Sequence, residues 1–283
     1  MTFAVFDWLS ILLRAMVYAG SIAVAGSVLV RATLDVALIS RTLNRQIITG
    51  AFILLVCEPL RYVVFQLAIG QGDWTMAFAP AMRWIAIETP FGHAAGIRLI
   101  AILLVLAGFL WQPVAIVGAL AMIGSFLLEG HTLTHDQRPL LAAVLFVHLA
   151  LVHWWIAALL PLRAALAGHD HRAIADMVRN FGRKAGVSVA ILAIAGLVML
   201  GLLCGWKLDL ARAYQQGFAV KLAVFAVILM IAAINKFRWT PRLMSSPEAG
   251  QRGLRMSINV EICVALAVLV ATAVATSFPP VAE

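Results

Sequence analysis

The chain has 283 residues, of which 63% are hydrophobic and only 12% charged, and its mean hydropathy is +0.99. Soluble domains carry about 25% charge and about 45–50% apolar residues, and a globule of this size cannot hide such an excess from water. A soluble enzyme, a disordered chain and a disulfide-stapled secreted domain are excluded, and the formal net charge of +8 must be read on a membrane protein.

Crossing ~30 Å of hydrocarbon takes ~20 apolar residues in a helix. Eight stretches qualify: 10–30, 46–69, 92–111, 114–130, 139–160, 184–205, 217–235 and 257–278. They are continuous rather than alternating, which argues for helices and against the short strands of a membrane barrel. Little sequence remains outside them. The expectation is an all-α polytopic membrane helix bundle of eight transmembrane helices, with residues 1–283 forming one transmembrane domain. Met1 to Ser10 contains Asp7 and no Lys or Arg, unlike the start of a cleavable signal, so the first span is expected to be a permanent helix.

Orientation follows from the basic residues. Arg31, Arg41, Arg45, Arg163, Arg172, Arg179, Arg183, Lys184, Lys236, Arg238, Arg242, Arg252 and Arg255 follow spans one, five and seven. The opposite loops hold Arg83, Arg138, Lys207 and Arg212. Thirteen against four predicts both termini on the outer side. The positive balance is thereby explained without nucleic acid. Cys57, Cys204 and Cys263 are isolated in or beside apolar spans and predict no disulfide framework.

Ionisable residues inside a span cost at least ~2.5–3.5 kcal/mol on insertion scales and mark candidate sites. Glu58 and Arg61 in the second span are three residues apart, on one helix face, with Pro59 between them and Cys57 beside them. They read either as a self-neutralising pair or as part of an ion pathway. For Arg98, Lys221 and Glu261, each a turn or two from a membrane surface, snorkelling or pairing between helices suffices. Met76 and Met82 in the outer loop are soft sulfur donors, for which packing is the simpler account.

Histidine is the sharpest signal. His93 opens the third span on the outer side, His131 and His135 follow the fourth, and His148 and His153 lie within the fifth. Imidazole suits copper, zinc, iron and nickel. His131 and His135, four apart, could share one ion if a helix runs through them. His148 and His153 are about 140° apart around a helix and suit successive stations better than one site. His169-Asp170-His171 reads as a solvated inner loop. No phosphate loop, HExxH or dinucleotide motif is present, so ATP-driven pumping by this chain alone is not expected; the expected role is not that of an enzyme.

The last third of the chain contains Asn180-Phe181-Gly182-Arg183, then Tyr214-Gln215-Gln216-Gly217 with Lys221-Leu222. It continues through Asn235-Lys236-Phe237-Arg238 with Pro241, Leu254-Arg255 with Ser257-Ile258, Glu261, and Pro279-Pro280. Earlier come Thr89-Pro90-Phe91-Gly92 with Arg98, Gly130-His131, and His148 with Trp155. In these the chain resembles the copper resistance protein D family of inner-membrane proteins, most specifically over 180–280. It departs from that family at Ala157-Ala158, where the family has Gly-Gly, and in its extra His135 and His153.

The resemblance implies copper ion binding and transport across the bacterial inner membrane, with a periplasmic copper-binding protein as a partner besides the lipid bilayer; on the charge count, both termini are then periplasmic. His131, His148, His135, His93 and His153 are then the candidate metal ligands, and Glu58, Arg61 and Cys57 a candidate pathway. The alternatives are a haem-binding electron-transfer bundle with His148 or His153 as axial ligand, and a membrane metal sensor or scaffold that does not transport.

Overall fold

Long, continuous apolar runs form helices, and those helices make up the protein. The computed structural model describes the backbone of residues 2–129, 137–204 and 213–277, and the side chains of 6–129, 137–202, 222–274 and 276. Helix α1 (Thr2–Ser21) runs on without a break through a π turn, Ile22–Gly26, into Ser27–Thr33. Next come α2 (Ser40–Ile69), α3 (Pro90–Ala107) and α4 (Gln112–Ser125), which closes in a 3₁₀ turn, Phe126–Leu128. They are followed by α5 (Arg138–Ala165) and α6 (His171–Cys204). Helix α7 (Ala213–Ile234) continues through a second π turn, Asn235–Trp239, to Thr240–Ser245. Helix α8 (Pro247–Ser277) completes the bundle. There is no strand among the described residues.

Seven of these helices are long and apolar enough to cross a membrane. The sequence predicts eight; the remaining one, Gln112–Leu128, falls below that length. At 1.5 Å per residue its 17 residues reach about 26 Å, slightly under the hydrocarbon thickness.

Local chemistry explains the ends. Thr89 caps α3 by accepting from Gly92 N at 3.2 Å, and Pro90 follows at the first helical position, where its missing N–H costs nothing. In the connection between α2 and α3, Asp73 caps the short helix Trp74–Ala77. The Thr75 hydroxyl and the backbone N–H groups of Thr75 and Met76 hold its carboxyl below the usual range. Pro59 lies inside α2, which continues through it.

Two apolar clusters organise the packing. One joins α1 to α2, α3 and α4 through residues such as Val17, Leu54, Ile102 and Met122. The other joins α1 to α5, α6 and α8 through Val30, Trp155, Leu159, Ile174 and Ile258. Helix α1 belongs to both. It is the most buried span, with 61% of its apolar window covered against 6% for α7. Without a hydrophobic drive between helices in lipid, close backbone approach at small residues supplies the packing. A Cβ on Gly50 would lie 2.7 Å from the Gly20 carbonyl, and one on Gly26 only 2.2 Å from the carbonyl of His153. The α1–α5 seam is therefore fixed at the histidine.

Candidate functional site

Four ionised side chains meet inside the α1–α4 half. Glu58 and Arg61 come from α2, Arg98 from α3, and Glu129 from the residue just beyond the 3₁₀ turn of α4. Arg98 is fully buried, and Glu58 and Arg61 are 2% and 5% exposed. Arg98 Nε donates to Glu58 Oε1, and its Nη2 donates to Glu129 Oε1 at 2.7 Å. Arg61 reaches Glu58 Oε2 at 3.4 Å and Glu129 Oε2 at 3.5 Å. Each guanidinium thus bridges both carboxylates, closing a ring with no net charge.

The ring's edges are also satisfied. Arg98 Nη1 donates to Ser125 Oγ at 3.2 Å, and Ser125 passes its own hydrogen to Met122 O. Phe91 lies 5.0 Å from the Arg61 guanidinium and Phe126 lies 5.0 Å from that of Arg98. Such a ring repays part of the desolvation of four charges. It leaves no lone carboxylate to hold a cation. Cys57 is buried beside it on α2.

From this ring the contacts lead to the second half. Phe126 packs against Tyr18 of α1 and, at 6.1 Å between centroids, against His153 of α5. His153 is 4% exposed. Its Nδ1 lies 2.7 Å from the Leu149 carbonyl, one turn earlier on its own helix, and its Nε2 lies 3.2 Å from Ser21 Oγ. A carbonyl can only accept, so Nδ1 carries the hydrogen, and in the neutral ring Nε2 presents a lone pair. Ser21 has one hydrogen and two acceptors in reach, since Tyr18 O is 2.9 Å away. A ring whose N–H is fixed by a backbone carbonyl, with the other nitrogen facing outward from it, is the orientation that metal-ligating histidines adopt.

Two of the other predicted ligands, His93 and His148, are among the described residues. His93 is exposed at the start of α3, with Nε2 2.7 Å from Ile87 O. His148 is half-buried, one and a half turns before His153 on α5. His131 and His135 lie outside the described residues. Among the described residues no three His, Cys, Asp or Glu side chains come together as a metal cluster. Met76 is exposed in the connection between α2 and α3, and Met82 is buried in it. His169 and His171 are exposed, as a solvated loop requires, and His171 Nδ1 meets Gln251.

The i,i+3 spacing revealed the Glu58–Arg61 pair, and the structure keeps it. Arg98 is a full member of the ring through pairing between helices, and Glu129 was missed as its fourth member. The available signal for Glu129 was a carboxylate directly after an apolar helix, opposite an arginine buried in the preceding one.

Comparison with known proteins divides along the same two halves. The family model described as Copper resistance protein D-like, N-terminal domain matches residues 5–137. The model described as Copper resistance protein D matches residues 175–275. The Copper transport protein CutJ of Bacillus subtilis (strain 168) is 25% identical over 264 residues, covering 86% of this chain and 47% of that relative. The chain spans about half the length of the curated relative it matches. No solved structure matches.

Proposed function

This chain belongs to the copper resistance protein D family, and from that premise we propose that it carries copper across the bacterial cytoplasmic membrane. Copper is the cargo. The observation that carries the reading is His153, buried at the α1–α5 seam with Nδ1 tied to Leu149 O and Nε2 turned toward Ser21. In this reading His93, His131, His135 and His148 gather the ion at the outward end and His153 receives it within the bundle. The basic residues orient the protein with both termini in the periplasm, where a copper-binding protein would deliver or collect the ion. Glu58 and Arg61 stand beside the path with Cys57. An ion could reach Glu58 only by displacing the arginines that bond it, so the ring borders the route and keeps it closed on that side. The role is transport rather than catalysis.

The test is His153→Leu. Leucine suits a buried position in an apolar seam, so the variant is expected to unfold in detergent within a few degrees of wild type. Copper uptake into proteoliposomes is expected to fall at least tenfold. Uptake at the wild-type rate would remove His153 from the route, and a Soret band in the purified protein would favour the haem-binding alternative.

A further inference from the structure

A buried carboxylate that this route does not use lies in the other half of the bundle. Glu261 of α8 is 4% exposed. Trp155 Nε1 of α5 donates to its Oε1 at 2.6 Å, and Asn235 Nδ2, at the start of the α7 π turn, faces its Oε2 at 3.5 Å. Both partners are neutral. Among the described residues no cation pairs with it.

The charged and titratable groups of the helices packed against α8 are engaged elsewhere. On α1, Arg14 and Tyr18 bond Thr276, near the far end of α8, Asp7 lies two turns beyond Arg14, and Arg31 bonds Asn44. On α5, Arg163 bonds Asn259, His153 turns to Ser21, and His148 and Arg138 precede Trp155 by about 10 Å and about 25 Å of helix. On the α7 continuation, Lys236 lies over Phe237, and Arg238 and Arg242 lie over Trp239. Lys221 stands fourteen residues before Asn235, about 21 Å along the helix.

An anion withdrawn from water with no counter-cation is costly, whereas the neutral acid is not. Asn235 suits both forms. Its Oδ1 is buried and without a hydrogen-bond partner. Turned one way the amide donates N–H to a carboxylate, and turned the other its oxygen accepts from a carboxylic acid. It also opens a π turn, a helix irregularity that recurs at functional sites.

We propose that Glu261 is a proton-binding site whose proton is exchanged as copper passes, so that the bundle couples the two ions. This coupling rests on the copper reading; the proton site itself does not. In the step, the carboxyl O–H bond breaks, its electron pair stays on the carboxylate, and the proton goes to water. The new negative charge balances one positive charge of the entering ion. When the ion leaves, a proton from water restores the acid.

Two measurements on the full chain separate the claims. Infrared spectra of the protein in lipid, without copper, are expected to show a protonated-carboxyl stretch that is lost as pH rises. That signal should be absent from Glu261→Gln, retained with a shifted midpoint in Glu261→Asp, and unchanged in Glu58→Gln. A signal that persists in Glu261→Gln, or is missing from wild type, overturns the site. In proteoliposomes holding a pH-sensitive dye, copper addition should move protons with wild type and at least tenfold fewer with Glu261→Gln. Equal proton movement overturns the coupling. If wild type moves no copper at all, the transport reading and the coupling fail together, and the infrared result still decides the proton site.

Discussion

Arg98 is the side chain on which the buried ring depends, because it bonds Glu58, Glu129 and Ser125 with no exposure to solvent. Replacing it with methionine leaves two carboxylates with only Arg61 in ion-pair contact. Removing one partner of a buried ion pair costs about 3–5 kcal/mol, because the charge left behind keeps its desolvation penalty. Arg98→Met is therefore expected to lower the thermal unfolding temperature in detergent sharply. The double variant Arg98→Met with Glu58→Met leaves the neutral Arg61–Glu129 pair and should recover most of the loss. If single and double variants unfold alike, the four charges do not act as one unit. The Glu58–Arg61 half of this ring was legible because helical spacing puts both on one face. The rest was not, since Arg98 is 40 residues from Glu58 and 31 from Glu129. No local pattern encodes which helices become neighbours.

At the level of elements, the seam between α1 and α5 holds His153 in place. Gly26 sits in the α1 π turn, where an added Cβ would meet the His153 carbonyl at 2.2 Å and the Ala157 Cβ at 2.5 Å. Backbone against backbone cannot yield as the tip of a flexible side chain does. Gly26→Ala must push the two helices apart, at a cost of about 1–3 kcal/mol for overpacking, and should turn Nε2 of His153 away from Ser21. Gly96→Ala is the control, since nothing lies within 4 Å of a Cβ there, and alanine in a helix should be neutral or slightly stabilising. Thermal unfolding in detergent compares them: equal midpoints would mean that the seam tolerates separation. Ala157, where the resembling family carries a glycine, is explained by the same contact. Its methyl lies against Gly26 on the facing helix, so the seam has room for a methyl on one of its two sides. The sequence alone did not reveal this, because a glycine inside an apolar run has no signature of what it faces.

For the whole molecule, hydropathy carried most of the architecture, since length and apolarity alone decide what can cross a bilayer. The weak point was α4, with 17 residues in Gln112–Leu128, and it determines topology. Thirteen basic residues against four predict that the turn around Ser246 faces the cytoplasm and that the connection between α2 and α3 faces outward. Five helices, α3 to α7, separate these two places. If α4 crosses, they lie on opposite sides, and if it does not, they lie on the same side. Cysteine introduced at each place reads both orientation and parity. Met76→Cys suits the α2–α3 connection because Met76 is 51% exposed, whereas Gly72 has φ 89°, where any side chain is strained. Ser246→Cys is exposed at the other position. In a background with Cys57, Cys204 and Cys263 replaced by alanine, an impermeant thiol reagent applied to intact cells should label position 76 and leave position 246 unlabelled until the membrane is opened. Labelling of 246 alone reverses the orientation, placing His93 at the cytoplasmic end and making the histidines an exit rather than an entrance. Labelling of both, or of neither, makes α4 a helix that enters the bilayer without traversing it. Glu129 would then close the charged ring from a turn inside the bundle, and the two termini would lie on opposite sides of the membrane.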